Sequence, residues 1–128
     1  MTFFKKIAVS FIMAAAMAAV SSAAFAEAEG AAVVKAAAEG TVAKIEEAVS
    51  LLEKGGDKAE IIKAINDARQ LQKEFRYELT ERQRQKANDK LRIARQEFEN
   101  GEVQPAEATL RAALASFKEM LDQYNAAH

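Results

Sequence analysis

The sequence predicts an all-α fold: an up-down-up-down four-helix bundle built from two repeated helical hairpins. Three observations lead there. Apolar residues recur at spacings of three and four through most of the chain, the period of helices with one buried stripe. The composition suits helix, with one proline, five glycines and no tryptophan in 128 residues. A stretch also repeats at a shift of 46: Ala48 falls on Ala94, Leu52 on Phe98, Gly55 on Gly101, Ala64 on Leu110, Ala68 on Leu114, Leu71 on Phe117 and Phe75 on Leu121. Two hairpins that each expose an apolar stripe bury it best against one another.

Residues 1–26 read as a secretory signal. Lys5 and Lys6 precede the apolar run IAVSFIMAAAMAAV, and Ala24-Phe25-Ala26 supplies a small-x-small cleavage pattern. The run is short and alanine-rich for a membrane span, and no stop-transfer flank follows. The expectation is a periplasmic or secreted domain over 27–128, with no transmembrane segment after cleavage. That segment carries 16 basic and 19 acidic residues, a net charge of −3, which does not point to nucleic acid. The chain has no cysteine. Disulfide staples, thiolate metal sites and thiol redox chemistry are therefore excluded, and packing must hold the fold.

The first helix is expected over about Ala28 to Lys54, with Val34, Ala38, Val42, Ile45, Val49 and Leu52 as its buried stripe. Gly40 weakens its middle by about 1 kcal/mol relative to alanine. Gly55-Gly56 ends it. Asp57-Lys58-Ala59-Glu60 has the form of a capping box opening the second helix, whose inner face would be Ile61, Ile65, Ala68, Leu71 and Phe75. The short connection makes the two helices antiparallel neighbours.

Between Leu79 and Ala87 no apolar side chain occurs. Thr80-Glu81-Arg82-Gln83 again has the form of a capping box, so a break near Tyr77–Thr80 and a third helix are expected there. The first turns of that helix are polar and should project past the core or face solvent all round. One continuous helix from Lys58 to Glu99 is the alternative reading. Ala87, Leu91, Ala94 and Phe98 resume the stripe, and Asn100-Gly101 ends it. Pro105 suits the first position of a fourth helix, with Leu110, Leu114, Phe117, Leu121 and Tyr124 turned inward. The tail beyond Tyr124 is expected to be loose.

Little in the chain offers catalysis. The one histidine is His128, and no phosphate-cradling glycine loop, nucleophile elbow or HExxH is present. The expectation is a protein with no enzymatic activity, no catalytic residue and no cofactor. Haem held by Met120 and His128 is disfavoured, because His128 lies beyond the expected helix end. Divalent metal would have to rely on carboxylates such as Glu46, Glu47, Glu53, Glu60, Glu97, Glu99 and Glu102, which read more simply as solvated helix surface. The better candidate is charge. Arg76, Arg82, Arg84, Lys86, Lys90, Arg92 and Arg95 stand against only Glu78, Glu81 and Asp89, a local excess of four positive charges. Such an excess reads either as the ordinary solvated face of a helix in a purely structural bundle or as a docking surface for an acidic protein, a polyanion or an anionic lipid headgroup.

Two resemblances bear on function. IEEAVSLLEKGGDKAEIIKAINDA and LRIARQEFENGEVQPAEATLRAAL, exported and duplicated, are similar to the small metal-binding protein family of periplasmic four-helix bundles. That family holds divalent metal through surface histidines. Here Lys63 and Gln70 stand about where histidine is usual, so the resemblance implies the scaffold and transfers no ligand residue. LTERQRQK resembles the L-T-x-x-Q pattern of Spy/CpxP-type periplasmic chaperones and stress sensors. It occurs once here, where those proteins usually carry two copies, and it implies an envelope stress chaperone or adaptor that works through a basic face.

Overall fold

The computed structural model describes residues 23–128, with side chains from Gly30 onward. Most of the expected signal, residues 1–22, lies outside the described residues. The chain divides between Ala31 and Ala32, and the packing below belongs to the unit Ala32–His128. The described residues form four α-helices and no strand: α1 (Ala23–Glu53), α2 (Lys58–Leu71), α3 (Glu81–Glu99) and α4 (Val103–Ala127). They pack together around one core. None is long and apolar enough to cross a membrane.

The apolar stripes form that core. Ala38, Val42, Ile45, Val49 and Leu52 of α1 are buried, Val34 partly so. Ile61, Ala64, Ile65 and Ala68 face in from α2, and Ala87, Leu91, Ala94 and Phe98 from α3. On α4 the buried set is Ala106, Leu110, Ala113, Phe117, Met120 and Tyr124. Leu114 and Leu121, expected inside, are only partly buried. Gly40 is a packing position: a methyl group there would lie 3.3 Å from Cδ1 of Leu71. What reads in sequence as a weak point in α1 is where the end of α2 seats.

Gly55 and Gly101 end α1 and α3 in the left-handed region, at φ 67° and 83°. The bonds around them match. Gly55 and Gly56 N–H donate to the Leu52 and Leu51 carbonyls, and Gly101 and Glu102 N–H donate to those of Phe98 and Glu97. Each pair satisfies two carbonyls at a helix end that would otherwise lack donors. The helix starts depart from expectation. Asp57 and Thr80 occupy the cap positions, but neither side chain caps its helix. The Thr80 hydroxyl instead donates to the Tyr77 carbonyl, 3.3 Å away. Pro105 is the third residue of α4, still within the first turn, where backbone N–H groups have no intrahelical partner.

The break between the second and third helices is real and starts earlier than expected. α2 ends at Leu71, and two 3₁₀ turns, Gln72–Glu74 and Glu78–Thr80, flank an irregular stretch. Phe75, expected on the second helix, sits in that stretch at φ −80°, ψ 75° and is fully buried. The C-terminal tail is not loose. α4 runs to Ala127, and the His128 ring stacks on Tyr124 at 4.1 Å with Nδ1 2.8 Å from the Tyr124 carbonyl oxygen. Tyr77 meets both rings edge-on, and Phe75 meets Tyr124 the same way. These aromatic contacts fasten the inter-helix stretch to the end of α4.

Candidate functional site

The apolar stripe of α3 consumes one face of the helix and leaves its charges to the other faces. Five of the seven expected cations divide into three groups, with Arg76 and Arg92 outside them. Arg84 belongs to the fold: its side chain is only 13 % exposed. One Nη donates to Gln72 Oε1 at 2.6 Å and lies 3.4 Å from the Gln72 carbonyl, while the other pairs with Glu81. Gln72 is itself buried, and its amide donates to the Arg69 carbonyl. The expectation that the first turns of α3 project past the core or face solvent all round therefore fails at Thr80 and Arg84. Both are tied into the stretch that follows α2. The Arg84 hydrogen bond, helped by the charges of Arg84 and Arg76, holds the Glu81 carboxyl below its ordinary range despite partial desolvation.

Arg82, Lys86 and Lys90 make the second group. They follow one another at four-residue steps, so they form a line along α3. No carboxylate forms an ion pair with any of them among the described residues. Exposed apolar side chains stand at both ends of the line, Leu79 at 80 % and Ile93 at 40 % exposure. Arg82, Lys86, Lys90 and Ile93 follow at spacings of four, four and three within α3, while Leu79 lies in the 3₁₀ turn Glu78–Thr80 that precedes the helix. Arg76 is exposed nearby. Arg92 makes only a long contact with Asp89, at 3.9 Å.

Arg95 forms the third group and points to a feature that the sequence reading missed. It lines a cleft between α2 and α3 of about 340 Å³, together with Asn66, Arg69, Gln70, Lys73 and Asn88. Arg95 donates to Asn66 Oδ1 at 3.1 Å and lies 3.7 Å from Glu99. Lys73 donates to Gln70 Oε1 at 3.2 Å. Three cations line the cleft and no carboxylate does. Arg69 Nε, Arg95 Nε and Asn88 Oδ1 are all shut off from solvent without a hydrogen-bond partner. The signal was in the sequence: Asn66, Arg69, Gln70 and Lys73 repeat at helical spacing, a polar stripe beside the apolar one. A reading tuned to apolar period and to charge on α3 alone passes over it.

Several of the acidic residues have partners elsewhere. Glu53 and Glu107 both pair with Arg111, at 2.6 and 3.0 Å, and Glu46 pairs with Lys118 at 3.4 Å. Glu47 lies 3.5 Å from Lys44, and Glu97 accepts from Thr109 at 2.7 Å. Asp67 takes Lys63 at 3.0 Å and Lys44 at 3.6 Å. The Lys63 bond is the main reason its carboxyl lies below the ordinary range. Among the described residues no three histidine or carboxylate side chains gather as a metal site would require. Comparison with family models, characterised proteins and solved structures finds no match for this chain.

Proposed function

We propose that this chain is an exported, non-enzymatic helical bundle that docks acidic segments of other proteins on the exposed face of α3, in the manner of an envelope chaperone or adaptor. The carrying observation is the stripe Leu79, Arg82, Lys86, Lys90, Ile93. Unpaired cations between two exposed apolar side chains suit an amphipathic acidic segment: the charges steer and orient it, and the apolar ends supply burial. Lys86 and Lys90 are compact, mobile charges, suited to varied acidic sequences rather than to one fixed geometry. The role is the one that the L-T-x-x-Q resemblance implies. The divalent-metal role implied by the other resemblance has no comparable support, since among the described residues no three carboxylate or histidine side chains gather.

The reading includes the up-down-up-down arrangement and the duplicated hairpin. Its support is the order of cross-helix partners. Lys44 meets Asp67; Arg95 meets Asn66; Glu97 and Gln83 meet Thr109 and Gln123; Glu53 and Glu46 meet Arg111 and Lys118. In the α3–α4 and α1–α4 pairs one number rises as the other falls. The matched glycine turns support duplication. Beyond them the register slips by one residue: burial pairs Ile61 with Ala106, Ile65 with Leu110, Ala68 with Ala113 and Phe75 with Met120.

The test is suppression of aggregation of an acidic client by the full chain and by the variant Arg82→Glu/Lys86→Glu/Lys90→Glu. These side chains make no ion pair among the described residues, with Arg82 and Lys86 exposed and Lys90 half-buried, so the variant should unfold close to the parent. The reading predicts loss of suppression, with the parent's effect weakening as salt rises. Undiminished suppression by the variant would refute it. Arg84 is left unchanged in this test because its replacement would damage the fold itself.

A further inference from the structure

The cleft between α2 and α3 is a separate feature from the exposed stripe. Burial strips a polar group of its water, so an unpaired one is rare and asks for an explanation. Here three such atoms occur in residues that line one opening, and no others of the kind occur among the described residues. Two are guanidinium Nε–H donors, from Arg69 and Arg95. The third is an acceptor, Asn88 Oδ1. Lys73 adds a third positive charge at the rim. Arg95 Nε is also the atom that Glu99 Oε1 approaches, at an ion-pair distance of 3.7 Å; Glu99 does not line the cleft, whose lining holds three cations and no carboxylate.

We infer that this cleft binds a protonated oxyanion, and that its ligand is hydrogen phosphate. Guanidinium groups present Nε–H and Nη–H as a planar fork that matches two oxygens of a tetrahedral anion. Small rotations of the Arg69 and Arg95 terminal torsions bring those forks to the opening. The ligand must also satisfy an acceptor. Hydrogen phosphate carries one P–OH, which donates to Asn88 Oδ1 while its remaining oxygens accept from the arginines and Lys73. Sulfate carries the same charge and shape but no proton, and would set oxygen against oxygen at Asn88 with its amide oriented as here. The donor–acceptor set therefore selects phosphate over sulfate, and the cleft has room for the anion with some of its water.

The experiment is titration calorimetry of the full chain with inorganic phosphate, sulfate and citrate at neutral pH, together with thermal unfolding in each. The inference predicts saturable phosphate binding, a raised unfolding midpoint with phosphate, and at least about tenfold weaker binding of sulfate. Arg69→Gln/Arg95→Gln should abolish phosphate binding. If that variant does not fold, Lys73→Gln, at an exposed position, should weaken phosphate severalfold. Asn88→Leu should bring phosphate and sulfate to similar affinity. The stripe variant Arg82→Glu/Lys86→Glu/Lys90→Glu should keep phosphate binding even as it loses the acidic partner, which separates the two sites. Absence of saturable phosphate binding, binding of citrate or sulfate as tight as phosphate, or full binding by Arg69→Gln/Arg95→Gln would each overturn the assignment.

Discussion

The seam between α1 and α4 and the exposed line on α3 use charge differently. Across the α1–α4 seam, Arg111 lies between Glu53 and Glu107, and Lys118 reaches Glu46. On α2 and α3, Lys63, Arg84, Arg92 and Arg95 have carboxylate partners, whereas Arg69, Lys73, Arg82, Lys86 and Lys90 make no ion pair among the described residues, and Arg69 Nε and Asn88 Oδ1 are buried without a hydrogen bond. The hydrophobic stripes on the two sides are alike. Folding therefore does not account for the difference in charge. Paired charges knit a surface at little energetic effect, whereas unpaired ones are retained against mutual repulsion and remain available to a partner.

The largest effects should strike both sides equally, because the core is shared. Phe75→Ala and Phe117→Ala each remove a fully buried ring, and each should lower unfolding free energy by about 3–5 kcal/mol in denaturant titrations. A much smaller loss at Phe75 would mean that the stretch between α2 and α3 is not anchored as described. The next contrast lies within α3. Arg84→Ala leaves the buried Gln72 oxygen without its donor and should cost about 1.5–3 kcal/mol, the range for hydrogen bonds to charged groups. Arg82→Ala, two residues away and exposed, should stay within about 0.5 kcal/mol. Equal effects would erase the distinction between structural and available cations.

Acidification sharpens the same contrast. The folded Glu81 carboxyl lies below its ordinary value of 4.5. Its contribution is complete above that unfolded-state value and disappears as pH falls through the lower folded-state value. Glu81→Gln should therefore flatten the acid limb of the stability profile, as should Asp67→Asn, whose carboxyl is lowered by Lys63 and Lys44. A steeper acid limb in either variant would contradict the pairing. The smallest effect belongs to Arg111→Ala. Its exposed pairs are screened by salt, so the slight loss at low ionic strength should vanish at high ionic strength.

Helix identity and inward faces were legible because period and punctuation agree: Ile45, Ile61, Leu91 and Leu110 sit on apolar stripes, and Gly55 and Gly101 mark the stops. Three details were not legible. Thr80 and Asp57 have capping chemistry and capping positions, yet Thr80 turns back to Tyr77; sequence cannot say which of two local acceptors a hydroxyl will choose. The stretch containing Phe75 leaves the helix but keeps its side chain in the core, so burial and helix end separately. His128 is held by Tyr124 and Tyr77, a contact that brings together distant parts of the chain. Of the candidate surface, the excess of positive charge was readable. That Arg84 is fold, Arg82 is surface and Arg95 lines a cleft depends on what α2 places opposite each.

The most direct test of the contrast between the two sides is backbone amide mapping. The ¹⁵N-labelled full chain would be titrated at low ionic strength with an amphipathic peptide that alternates leucine with glutamate. Shifts concentrated along α3 between Leu79 and Ile93, absent from Glu46, Glu53 and Arg111, and suppressed by salt are the predicted result. Shifts on the α1–α4 side, or none on α3 at a peptide concentration that perturbs the rest of the molecule, would contradict the account.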